Sequence, residues 1–300
     1  MIEKKYRYLI ALANEKHFGR AASACCISAS TLSFAIKSLE SELGVAIVER
    51  GRQFMGLTRE GQRVVDYAQR TAATAAGLSQ ELAQFRHGLE GRLRIGVIPT
   101  AATTVAYVTT AFARRHPLVT VEVLVHNTND IVARLREFQL DAGIVYVESG
   151  GDSDLQITPL WHEHHVLLTG TRNGFEDRTT ATWKEAAQLP LCLLTQDMQN
   201  RKTIDAVFAS IGCAPAPTLE TNSIISMMAH VCGGLWSSIA PRAILDWMGV
   251  PKGMQVLELV EPSVAWATGL ITPSRMPRQP IVEALITEAR ALGTSFRKYE

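Results

Sequence analysis

The chain has 300 residues, of which 47% are hydrophobic and 20% are charged, with 30 Lys and Arg against 29 Asp and Glu. This length exceeds one typical domain and supplies enough apolar side chains for two or three cores. No basic segment followed by an apolar one opens the sequence, and no apolar run reaches the length of a membrane span, so we expect a cytoplasmic protein with no membrane partner.

Two short helices joined by a tight turn are predicted between residues 18 and 45. The first helix has small apolar groups on one face, at Phe18, Ala21, Ala22 and Cys25. The second repeats the apolar period and stops at Gly44, with its apolar positions at Leu32, Ile36, Leu39 and Leu43. Small residues allow the helices to cross closely. This pattern is typical of a helix-turn-helix that reads DNA, although a helical hairpin inside a core gives the same pattern.

The second helix is predicted to carry the base-reading side chains. Ser28 or Ser30 can cap its first turn. Hydroxyl and ammonium groups on the helix can bond to base edges, and Ala29 or Phe34 can contact a thymine methyl group. Phe34 can equally be buried in the core. The predicted DNA-binding residues in this segment are Ser28, Ala29, Ser30, Thr31, Ser33, Phe34 and Lys37.

Basic residues are concentrated in the first 60 positions. That segment holds nine Lys and Arg against six acids, a balance of +3, and the other 240 residues hold 21 basic and 23 acidic groups, a balance of −2. Arg50, Arg52 and Arg59 follow the second helix in the glycine-containing segment ERGRQFMGLTREG. Such a segment can form a wing whose arginines bind phosphates beside the groove.

These segments together resemble the winged helix-turn-helix of LysR-type transcriptional regulators. The matching segments are YRYLIALANEKHF, GRAA, SLESELGV and VERGRQFMGLTREG. The chain departs from the family on the reading surface, with Ala29 and Ser30 in place of the usual Gln-Pro and with Phe34 where an arginine is frequent. The departures leave open which bases are read. The resemblance implies a promoter-binding regulator, here predicted to be an activator and not an enzyme.

Residues 58 to 90 predict one long helix with a heptad seam. A helix of this length, about 45 Å at 1.5 Å per residue, has nothing of its own to cover such a stripe. We expect it to pair with a second copy, and the resemblance implies the same, because this segment is the family's dimerising linker helix. The alternative is packing on the chain's own effector domain. The seam consists of Val64, Ala68, Thr71, Ala75, Leu78, Leu82, Phe85 and Leu89.

From residue 91, strand-like segments alternate with helical ones. The predicted strands are RLRIGVIP, VTVEVLVHN, LDAGIVYV, EHHVLLTG, LPLCLLT, TLETN and SSIAP. Helical patterns lie near residues 103–115, 129–138, 199–211, 223–231 and 280–292. Alternation of this kind predicts parallel sheets covered by helices, with ligands beyond the carboxyl ends of the strands. The resemblance implies an effector domain like a periplasmic binding protein. The predicted fold class is therefore α/β, with two α/β lobes after a mainly α-helical winged head.

The expected domains follow from these changes in pattern. Residues 1–58 form the winged helix-turn-helix, 59–90 the linker helix and 91–300 the effector-binding domain. The first lobe is expected to hold residues 91–161 and 268–300, and the second to hold 162–267. The strands that cross between the lobes are placed near 160–166 and 264–270.

An anion site is predicted where the first strand of the effector domain ends. There Thr100 and Ala101 open a helix, so that unpaired backbone N–H groups face the cleft. Arg201 can pair a carboxylate, and Met198 and Trp236 can form apolar walls. The resemblance places Thr100, Thr128, Tyr146, Met198, Asn200 and Asn222 around the inducer pocket. The full predicted set is Thr100, Ala101, Asn127, Thr128, Tyr146, Met198, Asn200, Arg201, Asn222 and Trp236. Helix capping by Thr100 or Asn127 and a solvated Arg201 are the alternatives.

The remaining cysteines and histidines favour structural roles. Cys192 and Cys213 lie 21 residues apart, with no basic neighbour in sequence to activate either thiol. In WHEHHV a strand sends His162 and His164 to one face and His165 to the other, which disfavours a metal site. The sequence contains no glycine-rich nucleotide motif and no nucleophile with a base. We predict no cofactor and no metal.

Two functions from different classes fit these features. The first is a regulator that binds promoter DNA as a homodimer or homotetramer, senses a small anionic inducer, and changes DNA bending and access for RNA polymerase. A likeness of SFAIKSLE and LPLCLLTQDMQNR to regulators placed beside formate dehydrogenase genes points to one-carbon or redox metabolism. The second is a two-lobed small-molecule binding protein or enzyme whose helical head is an interaction module. We predict the first.

Overall fold

The computed structural model describes residues 4–49, 54–147, 153–171, 173–274 and 277–296. The chain divides into two compact units. The first comprises Met1–Leu89 with Pro277–Pro280, and the second comprises Glu90–Met276 with Ile281–Glu300.

The first unit contains the helices and the wing. Its helices are α1 (Lys4–Glu15), α2 (Phe18–Ala24), α3 (Ala29–Leu43) and α4 (Arg59–His87). The predicted apolar faces of α2 and α3 meet α1 in one core, which Ile47 from the wing and Val65 from α4 complete. Leu43 is the exception, because 39% of its surface is exposed. The core residues that are essentially inaccessible are Leu9, Leu12, Ala21, Ala22, Leu32, Ile36, Leu39, Ile47 and Val65.

The helix α4 begins at a side-chain cap and continues for 29 residues. The Thr58 hydroxyl accepts a hydrogen bond from the Gly61 backbone N–H at 2.8 Å. In its first turns Ala68 is buried, whereas Leu78 and Leu82 are more than half exposed. The side chain of Phe85 lies outside the described residues. The predicted seam is therefore divided, since its N-terminal part packs within the head and the two leucines remain uncovered.

The second unit is built on one mixed sheet. Its strands are β1 (Gly91–Val97), β2 (Val119–Val125), β3 (Ala142–Tyr146), β4 (Leu155–Gly170), β5 (Thr180–Thr182), β6 (Cys192–Leu194), β7 (Leu219–Thr221), β8 (Ser238–Pro241), β9 (Met254–Val260) and β10 (Ala265–Pro273). The sheet order is β2-β1-β3-β10-β4-β9-β5, with β8 also paired to β4, and β6 and β7 form a separate parallel pair. β1 is parallel to β2 and β3, whereas β10 is antiparallel to β3 and β4.

The long strand β4 joins two groups of strands. Residues 155–164 pair with β10, and residues 165–170 pair with β8 and β9. In the second part consecutive residues are buried because both faces are covered. Leu167 packs in a cluster with Trp183 and Phe208, and Val166 packs in another cluster with Met227. This is the arrangement of two lobes joined by crossing strands, β4 and β10.

The helices of this unit cover the sheet. They are α5 (Val105–Arg115), α6 (Thr128–Arg136), α7 (Trp183–Ala186), α8 (Gln199–Ser210), α9 (Ile224–Cys232), α10 (Arg242–Met248) and α11 (Pro280–Phe296). Each strand and helix predicted for this half coincides with an observed one. The elements β5, α7, α10 and β9 were not predicted.

Candidate DNA interface and effector cleft

The N-terminal end of α3 is an exposed polar surface. Ser28 is the cap, and its hydroxyl accepts from the Thr31 backbone N–H at 3.1 Å while lying 2.8 Å from the Ser30 hydroxyl. Ala29, Ser30, Thr31, Phe34 and Lys37 are exposed, and Ser33 is half-buried. Phe34 is 74% exposed, so its ring is not part of the core. The Ser28 hydroxyl also lies 2.8 Å from the Thr31 hydroxyl, so the three hydroxyls form one exposed hydrogen-bonded group. An uncovered ring beside exposed hydroxyls suits contact with base edges and methyl groups.

The turn before α3 fixes the direction of the helix. The Cys26 N–H donates to the Ser23 carbonyl and the Ile27 N–H to the Ala22 carbonyl, each at 3.0 Å. Cys26 has a φ of 56°, the left-handed conformation that glycine usually takes at this point of a helix end. The turn sets α2 and α3 at 99°.

Among the described residues no single helix is long and apolar enough to cross a membrane. The bent pair of α2 and α3 meets the criteria of length and composition only when the two helices are taken together.

The wing is held to α3 by one carboxylate. Glu40 Oε1 accepts from the backbone N–H groups of Ile47 at 2.8 Å and Val48 at 3.1 Å. Val48 is bridged antiparallel to Leu57, and the Thr58 N–H donates to the Ile47 carbonyl at 2.9 Å. The two arms of a wing are thus fixed next to the C-terminal half of α3.

The predicted phosphate-binding arginines are only partly described. Arg50 and Arg52 lie outside the described residues. Arg59 is exposed in the first turn of α4. Two residues later, Gly61 lies so near the wing that a Cβ atom on it would be 2.0 Å from the Ile47 carbonyl oxygen. The start of α4 and the wing are therefore in direct backbone contact.

The predicted anion site begins with a tight turn. Thr100 and Ala101 are buried in a 3-10 turn that follows β1 and precedes α5. Asn127 caps α6 by accepting from the Asp130 N–H at 2.8 Å, which is the capping role that the sequence left open. The Thr128 hydroxyl is buried without a hydrogen-bond partner in the described chain.

Three predicted effector residues meet in one hydrogen-bonded group. The Tyr146 hydroxyl donates to Thr100 Oγ1 at 3.1 Å. The Asn200 amide nitrogen lies 3.4 Å from the Tyr146 hydroxyl and 2.7 Å from His165 Nε2. All four residues are buried. The group connects the end of β3, the turn after β1, the strand β4 and the first turn of α8, so it spans both lobes.

Glu163 adjoins this group but was absent from the predicted site. It is 4% exposed, its Oε1 has no partner among the described residues, and burial raises the pKa of its carboxyl group to about 7. Burial lowers the pKa of His165 to about 3, so the imidazole is neutral. The signal in sequence was the period of two in WHEHHV, where His162 and His164 are exposed and the residues between and after them are buried.

Arg201 is paired within its own lobe. Its Nε donates to both carboxylate oxygens of Asp205 at 2.9 Å, and its Nη1 donates to the Leu194 carbonyl at 2.9 Å and to Glu220. The guanidinium is also buried. It therefore joins α8 to β6 and β7, and its pairing with a ligand carboxylate stays a prediction.

Trp236 packs in the second lobe. Its Nε1 donates to the Thr218 hydroxyl at 3.0 Å, and its ring packs edge-on against His230. Met198 is buried in the same apolar cluster, at the N-terminal end of α8. Asn222 is exposed between β7 and α9.

The two cysteines singled out in the second lobe differ in burial. Cys192 is buried, and burial raises the pKa of its thiol to about 11, so the thiol is protonated near neutral pH. Cys213 is half-buried. No cluster of three metal-binding side chains occurs in the parts of the chain that the structure describes.

Family comparisons cover nearly the whole chain. A family model described as the LysR substrate binding domain matches residues 86–293. A second model, described as a bacterial regulatory helix-turn-helix protein of the lysR family, matches residues 4–62.

Individual relatives agree with these matches. The chain is 28% identical to a probable hydrogen peroxide-inducible genes activator of Mycobacterium leprae, over 88% of the chain and 85% of that protein. A full-length OxyR variant from Pseudomonas aeruginosa superposes with a TM-score of 0.76 at 26% identity, covering 96% of this chain and 98% of that one. Full-length CbnR in complex with its target DNA has a TM-score of 0.68 at 18% identity, over 97% and 100% of the two chains, which is a likeness of fold.

Proposed function

The chain belongs to the LysR family of DNA-binding transcriptional regulators, and we propose that α3 and the wing bind promoter DNA while the cleft around Tyr146 binds a small effector. The family and its relatives are regulators and not enzymes. The predicted family and fold class are thereby confirmed. The observation that carries the proposal is the exposed polar end of α3.

DNA reading is assigned to the residues that α3 leaves uncovered. Thr31 and Ser33 supply hydroxyl groups, Lys37 an ammonium group, and Phe34 an apolar edge for a thymine methyl. The wing arginines Arg50 and Arg52, together with Arg59, are assigned to phosphates. With these roles, the affinity for DNA should depend on salt through the arginines, and the sequence preference should depend on α3.

The effector is proposed to be a small anionic metabolite. Support comes from the backbone N–H groups that begin α5 and from the buried, unpartnered hydroxyls of Thr103 and Thr128. Because Arg201 is already paired, these neutral donors and Asn200 have to supply the stabilisation of the anion. The protonated thiol of Cys192 does not support direct reaction of this residue with peroxide.

Dimerisation is assigned to α4. Leu78 and Leu82 are exposed one turn apart on α4, where the head of the same chain covers neither side chain. Pairing with a second copy would bury both. We further propose that effector binding between the lobes alters the spacing of two heads in such an assembly, and with it DNA bending and access for RNA polymerase, and that the target genes serve one-carbon or redox metabolism.

Selection of genomic DNA tests the proposed DNA binding. Purified protein is mixed with fragmented genomic DNA, and the retained fragments are sequenced. We expect a small set of fragments to be enriched, with enrichment lost in Thr31→Ala. Uniform recovery of all fragments by both proteins would support the alternative of a binding protein with an interaction module.

Thermal-shift measurements test the effector cleft. Small carboxylates, beginning with formate, are screened against the wild-type protein and Thr100→Val. An anion that stabilises the wild type and has a several-fold weaker midpoint on Thr100→Val supports the cleft. Equal midpoints for the two proteins would place the ligand elsewhere.

A further inference from the structure

A row of buried polar side chains crosses β3, β10 and β4. Thr268 on β10 pairs with Tyr146 on one side and with Trp161 on the other, and Trp266 pairs with Glu163. Side chains of directly paired residues point to the same face of a sheet, and so do residues two apart on one strand. Tyr146, Thr268 and Glu163 therefore share one buried face at the crossing between the lobes.

Glu163 has no counter-charge on this face. No ion pair joins it to a Lys or Arg among the described residues. The titratable groups facing it are the Tyr146 phenol from β3, within hydrogen-bonding range, and the neutral His165 two residues along β4. Among the described residues of other elements, the Asn200 amide of α8 lies 2.7 Å from His165 Nε2, and the Trp266 ring of β10 lies 4.3 Å from the His165 ring. The proton on Glu163 therefore decides the local hydrogen bonding.

The Tyr146 hydroxyl has two possible acceptors within this group. In the structure it donates to Thr100 at 3.1 Å and also lies within hydrogen-bonding range of the Glu163 carboxyl group, whose Oε1 has no partner in the described chain. An ionised carboxylate is a much stronger acceptor than a threonine hydroxyl. Ionisation of a buried carboxyl group with an unpaired oxygen would thus attract the nearest donor.

We propose that Glu163 is a positioning residue of the effector cleft, which sets the partner of the Tyr146 hydroxyl by gaining or losing a proton. With the proton on Glu163, Tyr146 bonds to Thr100. When that proton leaves to solvent, Tyr146 donates to the carboxylate, and Thr100 Oγ1 becomes free to accept a hydrogen bond from a ligand. The link to a ligand rests on the proposed effector cleft, whereas the exchange of partners does not.

The exchange falls in a physiological range. Burial raises the pKa of Glu163 to about 7, so modest changes of pH shift the balance between the two arrangements. The cleft is then expected to offer Thr100 Oγ1 as a free acceptor more fully above this pH than below it. The hydrogen bond between Asn200 and His165 belongs to neither side of the exchange.

Infrared and fluorescence titrations without ligand or DNA test the proton step. The carbonyl stretch of a protonated carboxylic acid and the tryptophan emission, to which Trp266 contributes beside His165, are followed from about pH 5 to about pH 9. We expect both signals to change with a midpoint near 7 in the wild type, to be constant in Glu163→Gln, and to return with a displaced midpoint in Glu163→Asp. A transition that persists unchanged in Glu163→Gln would overturn the proposal.

A second variant tests whether Tyr146 is the exchanging group. Thr100→Val removes the competing acceptor, so the carboxylate form gains relative stability and the midpoint should fall by about half to one pH unit. Thr109→Val is the control, because its hydroxyl bonds within α5 to the Val105 carbonyl. Equal midpoints in Thr100→Val and the wild type would refute the exchange. Failure here would leave promoter binding and effector binding to be judged by their own experiments.

Discussion

At the scale of single residues, Cys26 holds a conformation that suits glycine better than cysteine. Its φ of 56° places the Cβ atom in a crowded position, at a cost of about 1 kcal/mol relative to glycine. We predict that Cys26→Gly stabilises the chain by about 0.5–1 kcal/mol in urea unfolding. Cys232→Gly is the control, because this exposed cysteine ends the helix α9 and glycine there should destabilise. A loss of stability in Cys26→Gly would mean that the thiol contributes contacts that outweigh the backbone cost.

The buried pair Glu163 and His165 predicts opposing effects of pH on stability. The native pKa of Glu163 is raised from 4.5 to about 7, so the folded state holds an extra proton in that window and stability falls as pH rises through it. The native pKa of His165 is lowered from 6.5 to about 3, so the unfolded state holds the extra proton and stability rises with pH up to 6.5.

Single variants separate these two effects. In urea unfolding, the stability of Glu163→Gln should rise with pH up to about pH 6.5 and then stay constant, because the effect of His165 remains. The stability of His165→Asn should fall as the pH rises from about 4.5 to about 7, because the effect of Glu163 remains. Parallel curves for the two variants would show that neither group titrates as assigned.

The effector cleft was only partly predictable from residue types. Thr100, Tyr146 and Asn200 lie in one hydrogen-bonded group, because each stands where a strand ends or a helix begins and the two lobes bring these ends together. Arg201 could not be assigned from sequence, since its partner Glu220 comes from a different element 19 residues away. Glu163 was missed because its burial depends on pairing between β4 and β10.

At the scale of elements, the contact between α4 and the wing depends on Gly61. A Cβ atom there would lie 2.0 Å from the Ile47 carbonyl oxygen, which is backbone and has little freedom to move. Gly61→Ala should destabilise the head by at least about 2 kcal/mol and displace the wing, weakening DNA binding. Unfolding in urea and DNA titration measure the two effects.

Gly77 provides the matched control on the same helix. Its Cβ position has only an ordinary contact at 3.7 Å, so Gly77→Ala should stabilise α4 by up to about 1 kcal/mol. If both alanine variants behaved alike, helix propensity would explain the data and the proposed contact with the wing would be unnecessary.

The uncovered part of α4 predicts the assembly. Leu82 is 56% exposed in one chain, so Leu82→Asp costs the isolated chain little but places a carboxylate in the proposed interface. Light scattering should show dissociation at concentrations where the wild type is dimeric. Ser79→Asp, on an exposed neighbouring position, should remain dimeric. A dimeric Leu82→Asp protein would place the interface elsewhere.

Periodicity explains which elements could be predicted. The long helices α3 and α4 and the strands β1 to β3 carry several repeats of their pattern, and each was located from sequence. The strand β9 was not, although MQVLELV alternates between more and less buried positions. The division of the α4 seam was also not predictable, since it depends on which turns the head covers.

At the scale of the whole molecule, one basic head is attached to a nearly neutral effector domain. The head carries the excess charge, +3 over the first 60 residues, while the remaining 240 residues carry −2. Electrostatic attraction to DNA should therefore be concentrated in the head, and sequence preference should reside in α3. Affinity for DNA and preference for a DNA sequence are thus assigned to different parts of one domain.

DNA binding measured at several salt concentrations tests whether the wing supplies affinity and α3 supplies sequence preference. Fluorescence anisotropy is used to measure affinity for the DNA upstream of the gene and for a random duplex, with wild type, Arg52→Ala and Thr31→Ala. We expect log affinity to fall linearly with log salt concentration. Arg52→Ala should weaken binding to both duplexes and lower the salt slope by roughly one unit. Thr31→Ala should weaken binding by about 1–3 kcal/mol on the upstream DNA alone. Equal affinity of the wild type for both duplexes, with no effect of either substitution, would contradict this assignment.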